Sequence, residues 1–355
     1  MTDLLNADAS ALFCDTTTVS FSLDEPDPEG GPRRGGQARV TSGSNLVLPV
    51  RRFHVLKSCP VGDEVTSQCP RGERLSREHA SLCEALSKLP LEEIASFSAV
   101  SSTNDIAKER LKVRSPVLVL AEWQERGRGR DGRSWESPPG GLWFSLGLRE
   151  RQGNLSLVPI LTGVAVAEGL KATGFEATVK WPNDILVDDR KVAGVLVEAE
   201  VRGDHTEVVV GIGVNANVCQ RRLQQKVVGN TIGTLSHIAG HPVARDEILS
   251  HILTVFFRLW PLWISGQTDP VVQRWKELSS TLGREVTIRH GRQPGPIVGI
   301  AEDLAPDGAL LVRDARGMLQ RVVDGQITAQ QSTITIQVRP SWSGDGVVPR
   351  PGAAG

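Results

Sequence analysis

The chain has 355 residues, more than the roughly 100–200 of one typical domain, so two or three units are expected. A hydrophobic fraction of 39% and a charged fraction of 23% belong to a globular protein and exclude collagen-like and wholly disordered classes. With 40 Lys+Arg against 41 Asp+Glu the net charge is -1, so the global balance draws the chain to neither nucleic acid nor an anionic membrane, and any anion site must be a local cluster.

The first basic residue is Arg33 and no long apolar run precedes it, which argues against a secretory signal. The five cysteines are odd in number and lack close pairs, fitting reduced thiols. Both readings predict a cytoplasmic protein. Residues 24–43 are Pro-, Gly- and Ser-rich and read as linker. An apolar patch at 46–56, a loop-like stretch and a helical pattern over 76–89, closed by Pro90, complete an extension of unknown fold and function, residues 1–93. Cys59, Cys69, His79 and Cys83 are spaced too widely to define a metal site. No basic recognition helix is evident, so DNA binding is not expected.

A mixed domain is expected over 94–278, with a helix from near Ser102, a strand at 117–122, a Gly/Arg loop and a strand at 142–148. Ser156 is placed to cap a helix running to Gly174, apolar on nearly every side and therefore buried under a sheet. Its most apolar part, 155–167, is too short for a membrane crossing of roughly 20 residues. Short β runs at 178–181, 185–187, 192–200 and 207–214, with brief polar breaks, predict antiparallel hairpins. A core helix follows at 245–263, with Pro261 expected to kink or end it. Strands at 285–289, 297–302, 309–313 and 319–323 predict a small β-barrel over 279–331, and the Gly/Pro-rich tail, 332–355, is expected to be disordered.

Four segments carry chemistry. Residues 124–133, QERGRGRDGR, interleave arginines with glycines directly after a strand, and suit anion binding: arginine forks hold phosphate or carboxylate, and glycine admits close backbone approach. The letters G-x-G-x-x-G occur there, but Pro138 and Pro139 stand where a dinucleotide fold needs a helix, and no P-loop lysine follows. Lys180, Asn183 and Asp184 in KWPND, with Lys191 and Gly194 in RKVAG, bring two lysines, an amide and a carboxylate to neighbouring strand ends. A lysine there can offset charge on a phosphate, and an aspartate can take a proton from an amine. SSTN (Ser101, Ser102, Thr103, Asn104) either caps a helix or bonds a polar ligand. GIGVN, ending at Asn215, is a strand end open to a flat heterocycle.

In this order and spacing, SSTN, GRGRDGRSW, KWPNDI with RKVAGVLVE, and GIGVN resemble the biotin protein ligases over residues 97–329. The resemblance implies an α+β fold: a mixed, largely antiparallel sheet packed with helices, of the class II synthetase-like biotin/lipoate ligase type, followed by a small SH3-like β-barrel. It implies ATP-dependent formation of biotinyl-5′-AMP and transfer of biotin to a lysine of a carboxylase biotin carrier domain, with Mg²⁺ accompanying ATP. Lys191, Arg130 and Asp184 would be the catalytic groups, Lys191 bridging the biotin carboxylate and α-phosphate and Asp184 serving as base for the acceptor amine. Ser102, Thr103, Asn104, Gln124, Gly127, Arg128, Gly129, Arg130, Trp135, Lys191 and Gly194 would bind biotin or its adenylate. Arg133, Lys180, Asn183 and Asn215 would bind the nucleotide. No metal site built from protein ligands alone is implied, and a homodimer is compatible. Two departures stand out: the N-terminal ninety residues do not resemble the winged helix of some members, and Asp131 and Trp123 flank the loop where relatives often differ. A lipoate ligase and a non-catalytic adenylate sensor are the competing readings; intact Lys191 and Asp184 argue for catalysis.

Overall fold

A computed structural model describes residues 18–19, 46–49, 84–151, 154–224, 232–289 and 295–331. The four-residue Cys/His set, the 24–43 segment and the tail from 332 lie outside these residues. Two pieces of the N-terminal extension are strands, β1 (Thr18–Val19) and β2 (Leu46–Pro49). The rest of the main sheet comprises β3 (Glu93–Val100), β4 (Val117–Gln124), β5 (Leu142–Glu150), β6 (Ala177–Lys180), β7 (Asp184–Val187), β8 (Arg190–Arg202) and β9 (His205–Val214). Its order is β2-β3-β4-β5-β9-β8-β7-β6, with β1 on the edge of β8. Only the pairs β3/β4 and β1/β8 are parallel among the described residues. The expected hairpins are present: Asp188 and Asp189, both at positive φ (51° and 55°), make the two-residue turn between β7 and β8. Strand β3 was not foreseen, because its run EIASFSAV alternates too weakly to announce itself.

Helix α1 (Thr103–Leu111) links β3 to β4 and covers one face of the sheet, packing Ala107 and Leu111 on Val117, Val119 and Val209. The other face is covered by α2 (Val158–Ala172), which packs against two later helices. Twelve of its 15 residues are buried: an apolar surface on every side needs cover on every side. Ser156 does not cap this helix as expected. It lies inside a 3-10 turn, Leu155–Leu157, whose cap is Asn154, the side chain accepting from the Ser156 amide. The turn extends the apolar helical stretch to Leu155–Ala172, 18 residues, longer than the sequence suggested. This stretch and Arg245–Ile264 are long and apolar enough to cross a membrane by length and composition, yet 78% of the first is buried within the fold.

Two short helices, α3 (Gln220–Gln224) and α4 (Leu235–Ala239), precede α5 (Arg245–Ile264) and α6 (Asp269–Leu278). Pro261 does not end α5, which continues to Ile264. The N–H hydrogen bond lost to proline is outweighed by the last turn's anchors: Trp260 and Trp263 are buried, lie tilted against each other with centroids 4.5 Å apart, and donate indole N–H bonds to Glu150 Oε1 (2.9 Å) and the Asn154 carbonyl (2.7 Å).

The second unit is the expected SH3-like β structure, with β10 (Glu285–Arg289), β11 (Ile297–Leu304), β12 (Leu310–Arg313), β13 (Leu319–Val322) and an unforeseen β14 (Gln326–Gln331), in the antiparallel order β13-β12-β11-β10-β14. It docks through Trp181, whose backbone N–H donates to Thr281 Oγ1 (3.0 Å) and whose indole donates to the Gly308 carbonyl (3.2 Å).

Phe256 is fully buried on α5, edge-on to Phe257 and stacked on Trp260. Phe256→Ala is expected to cost about 3–5 kcal/mol of stability in urea denaturation; a loss under about 1 kcal/mol would contradict this packing.

Candidate active site

The site forms where the α1 face of the sheet gives up its side chains. Gly194 of β8 pairs with Gly213 of β9, and Gly211 of β9 pairs with Ser145 of β5, which leaves a bare strip bordered by Trp143 and Leu196, the other partners of Gly213 and Gly211. Two side chains lie directly on it. A Cβ at Gly213 would stand 2.5 Å from Trp135 Nε1, one at Gly194 2.9 Å from the same ring, and one at Gly211 2.3 Å from Asn104 Oδ1. Substitution at any of the three would therefore displace a neighbour.

Around this floor the four sequence segments converge on one cavity, lined by Ser102, Thr103, Asn104, Gln124, Arg128, Gly129, Arg130, Arg133, Trp135, Lys180, Asn183, Asp184, Lys191, Gly194 and Asn215. Every expected site residue but Gly127 is among the lining. Gly127 is structural: its Cα is pressed against the Trp135 carbonyl and Ser137, where a Cβ would come within 2.3 Å. Ser102 occupies the N-cap position of α1 but makes no capping bond; it is buried at the cavity. Gln124 Oε1 instead accepts from the Thr103 amide (2.8 Å) and hydroxyl (3.0 Å), and Ser145 Oγ donates within reach of Thr103 Oγ1 (2.7 Å) and Asn104 Oδ1 (2.6 Å). These bonds fix the SSTN segment against the floor.

The Gly/Arg loop is an irregular hairpin, tied by bridges Gln124↔Ser137 and Arg128↔Ser134, with a 3-10 turn, Arg130–Gly132, at its tip. Three of its arginines, Arg128, Arg130 and Arg133, have protein partners. Arg128 forms a fork on Asp105 (2.7 and 2.8 Å) and also reaches Glu198 (3.3 Å), which raises its pKa and holds the Asp105 carboxyl below the usual carboxylate range. Glu198 accepts from Asn104 Nδ2 (2.6 Å) and pairs with Lys108 (3.2 Å). Arg128 is thus an anchor of the loop, spent on carboxylates, rather than an open anion fork. Arg130 pairs with Asp324 of the second unit. Arg133 is exposed at the rim and donates to the Arg130 carbonyl (3.2 Å).

Lys191 Nζ lies 2.5 Å from Asp184 Oδ1 and 5.1 Å from the Trp135 ring centroid. Burial pushes the Lys180 ammonium below its usual range; Asp184 opposes the shift, and Lys191 and Arg284 add to it. Asn215 Nδ2 donates to the Gly233 carbonyl (3.1 Å), and its buried side chain closes the β9 end of the cavity. Among the described residues no group of three His, Cys, Asp or Glu could hold a metal.

Sequence reasoning missed Leu223, Ile232, Gly325, Gln326 and Ile327, which also line the cavity. It missed Asp105, Glu198 and Asp324 as partners of the arginines. Only Glu198 carried a signal, as a carboxylate within the apolar run of β8.

Comparison with known proteins follows this geometry. The biotin/lipoate A/B protein ligase family matches residues 96–215, and the biotin protein ligase C-terminal domain matches residues 281–328. The bifunctional ligase/repressor BirA of Salmonella typhimurium is 31% identical over 252 residues, covering 69% of this chain and 77% of its own length. The chain belongs to the biotin protein ligase family. It is an enzyme of the ligase class. The biotin–[acetyl-CoA-carboxylase] ligase of Paracoccus denitrificans is 31% identical over 205 residues, 56% of this chain and 85% of that protein. The biotin protein ligase of Aquifex aeolicus, solved in complex with biotin and ATP, is 28% identical with a TM-score of 0.55, over 68% of this chain and 99% of that one.

Because the Asp105 pKa is depressed by Arg128, its contribution to stability is complete above the unfolded carboxylate value of about 4 and is lost as pH falls through the lower folded value. Asp105→Asn should therefore lower stability at neutral pH, with the gap from wild type closing below about pH 4 in urea denaturation. A gap independent of pH would assign the effect to packing.

Proposed function

We propose that this family member activates biotin with ATP, forming biotinyl-5′-AMP, and then passes biotin to the lysine of a biotin carrier domain. The observation that carries the reading is the meeting of all four chemical segments at one cavity, with Lys191 and Asp184 2.5 Å apart on its wall. The Aquifex aeolicus relative solved with biotin and ATP supports ATP as the co-substrate.

In the first step an oxygen of the biotin carboxylate attacks the α-phosphorus, the bond to pyrophosphate breaks, and the mixed anhydride remains. Two anions must approach, and the Lys191 ammonium offsets their repulsion; the Arg130 guanidinium, already paired with Asp324, lies on the same cavity wall and would share that pair with an arriving anion. Burial of Lys180 beside them makes its charge costly to keep unless an anion is present, which favours a phosphate nearby. Mg²⁺ would arrive with ATP; the Asp184 and Glu136 carboxylates and the Asn183 amide oxygen are side chains of the cavity wall with the oxygen chemistry to meet it, and it would supply further charge neutralisation.

In the second step the acceptor amine attacks the acyl carbon and AMP leaves. Of the two carboxylates on the cavity wall, Asp184 and Glu136, Asp184 is the one beside Lys191; it is assigned to take the amine proton, and Lys191 stabilises the departing phosphate. Trp135 and the Gly/Arg loop keep water from an anhydride that would otherwise hydrolyse. Thr103, bonded to Gln124, and Asn104, bonded to Ser145 and Glu198, offer with Gln124 a preorganised polar end for the biotin ring, and Asn215 and Arg133 are assigned to the nucleotide end. A carboxylase carrier, a cytoplasmic setting and a fold divided at residues 94–278 and 279–331 belong to the same reading.

Incubation with Mg-ATP, labelled biotin and a biotin carrier domain should label the carrier lysine, while lipoate in a parallel tube should not be transferred. Adenylate without transfer would favour a sensor, and lipoate transfer would overturn the choice of substrate. Lys191→Ala should depress ATP–pyrophosphate exchange by about 100-fold or more; near-normal exchange would remove Lys191 from the mechanism.

A further inference from the structure

The tip of the Gly/Arg loop has little packing of its own. Asp131, Gly132, Arg133 and Ser134 are exposed, Asp131 and Gly132 sit at positive φ (56° and 69°), and no atom would meet a Cβ at Gly132 within 4 Å. A segment of this kind opens readily unless something distant holds it. Arg130 leaves the tip in the other direction. Its guanidinium pairs with the Asp324 carboxylate, 194 residues away in the β13–β14 turn, and lies 3.4 Å from the Gly325 carbonyl and 3.5 Å from Asn183 Oδ1. The pair is desolvated, with side chains only 9% and 13% exposed, so it is not one of the surface ion pairs that contribute little.

The turn that supplies the carboxylate is itself fixed. Gly325 has φ 146°, and a Cβ there would come within 2.6 Å of Ile288 Cγ2 and 3.0 Å of the Arg289 carbonyl. The turn is pressed onto β10 closely enough that only glycine fits, which aims Asp324 toward the loop while Gly325, Gln326 and Ile327 complete the cavity wall.

We propose that Asp324 is a positioning residue: through Arg130 it latches the tip of the Gly/Arg loop to the C-terminal sheet, so that closure of the loop over the site depends on docking of the second unit. Asp324 touches no reacting atom in this scheme. It places Arg130 beside Asn183 and keeps the loop hairpin shut. The consequence for adenylate retention rests on the function proposed above; the latch itself does not.

The test uses the full chain and the variants Asp324→Asn, Asp324→Glu, Arg130→Gln and the Asp324→Asn/Arg130→Gln pair. Without ligand, trypsin cleavage after Arg133, read by mass spectrometry, reports opening of the loop, and cleavage after exposed Arg258 in α5 reports global unfolding. Asp324→Asn should accelerate cleavage after Arg133 at least tenfold while leaving Arg258 unchanged. Asp324→Glu should restore most of the protection, and the pair should be no faster than Arg130→Gln alone, as for two members of one interaction. Cleavage after Arg133 at the wild-type rate, equal acceleration at Arg258, or effects that multiply in the pair would each overturn the latch. The second readout is the half-life of bound biotinyl adenylate, expected to shorten at least tenfold in Asp324→Asn. An unchanged half-life despite faster loop cleavage would overturn its role in retention. If the wild type forms no adenylate but the loop results hold, the latch stands and the biotin reading falls.

Discussion

A sheet can bring its backbone to a flat or charged ligand only where it has no side chains in the way, and this constraint organises the whole site. Gly194, Gly211 and Gly213 meet it on two neighbouring strands, and the antiparallel register that pairs Gly194 with Gly213 turns three separate glycines into one continuous floor. Neighbouring elements then depend on that floor. Trp135 can lie across Gly194 and Gly213, and Asn104 can press on Gly211, only because no Cβ is present. The bare face of the sheet thereby fixes both the position of α1, through Asn104, and the base of the Gly/Arg loop, through Trp135.

A second constraint is electrostatic. Arg128, Arg130 and Lys191 gather at one half-buried cavity, where cations without partners would repel one another and lose hydration. Each is matched by a carboxylate: Arg128 by Asp105 and Glu198, Arg130 by Asp324, Lys191 by Asp184. The pairings divide the labour. Two acidic partners make Arg128 a brace that ties the loop to α1 and β8, whereas Lys191, with a single short contact and an aromatic face beneath it, keeps its ammonium at the centre of the cavity. Adding a ligand anion at Lys191 shares an existing ion pair rather than creating one, so the protein need not reorganise to receive it.

Sequence and structure agree best where one residue type has one physical use. Glycine and arginine alternating after a strand have few roles, and the segment does lie at the cavity; the apolar surface of α2 is buried as its pattern requires. Agreement fails where a role depends on a distant partner. Nothing in the letters distinguishes Arg128 from Arg130, yet one braces α1 and the other reaches the second unit, because Asp105 and Asp324 are brought near by folding alone. Gly127 reads like its neighbours Gly129 and Gly132 but serves the close approach of the Trp135 carbonyl, a packing demand invisible in a motif. Pro261 shows the limit of a local rule, since the burial of two tryptophans outweighs the hydrogen bond that proline removes.

The C-terminal sheet is part of the site. It supplies Gly325, Gln326 and Ile327 to the cavity wall, and its contacts with the main domain include the short segment that carries the chemistry as well as Arg130, Ser156 and Lys276. Trp181 anchors the second unit by two hydrogen bonds, and Asn183 and Asp184 follow within three residues, one bonded to the Val195 carbonyl and the other to Lys191. A chain that lacked the C-terminal sheet would lose Gly325, Gln326 and Ile327 from the cavity wall and, with them, the Asp324 carboxylate that pairs with Arg130.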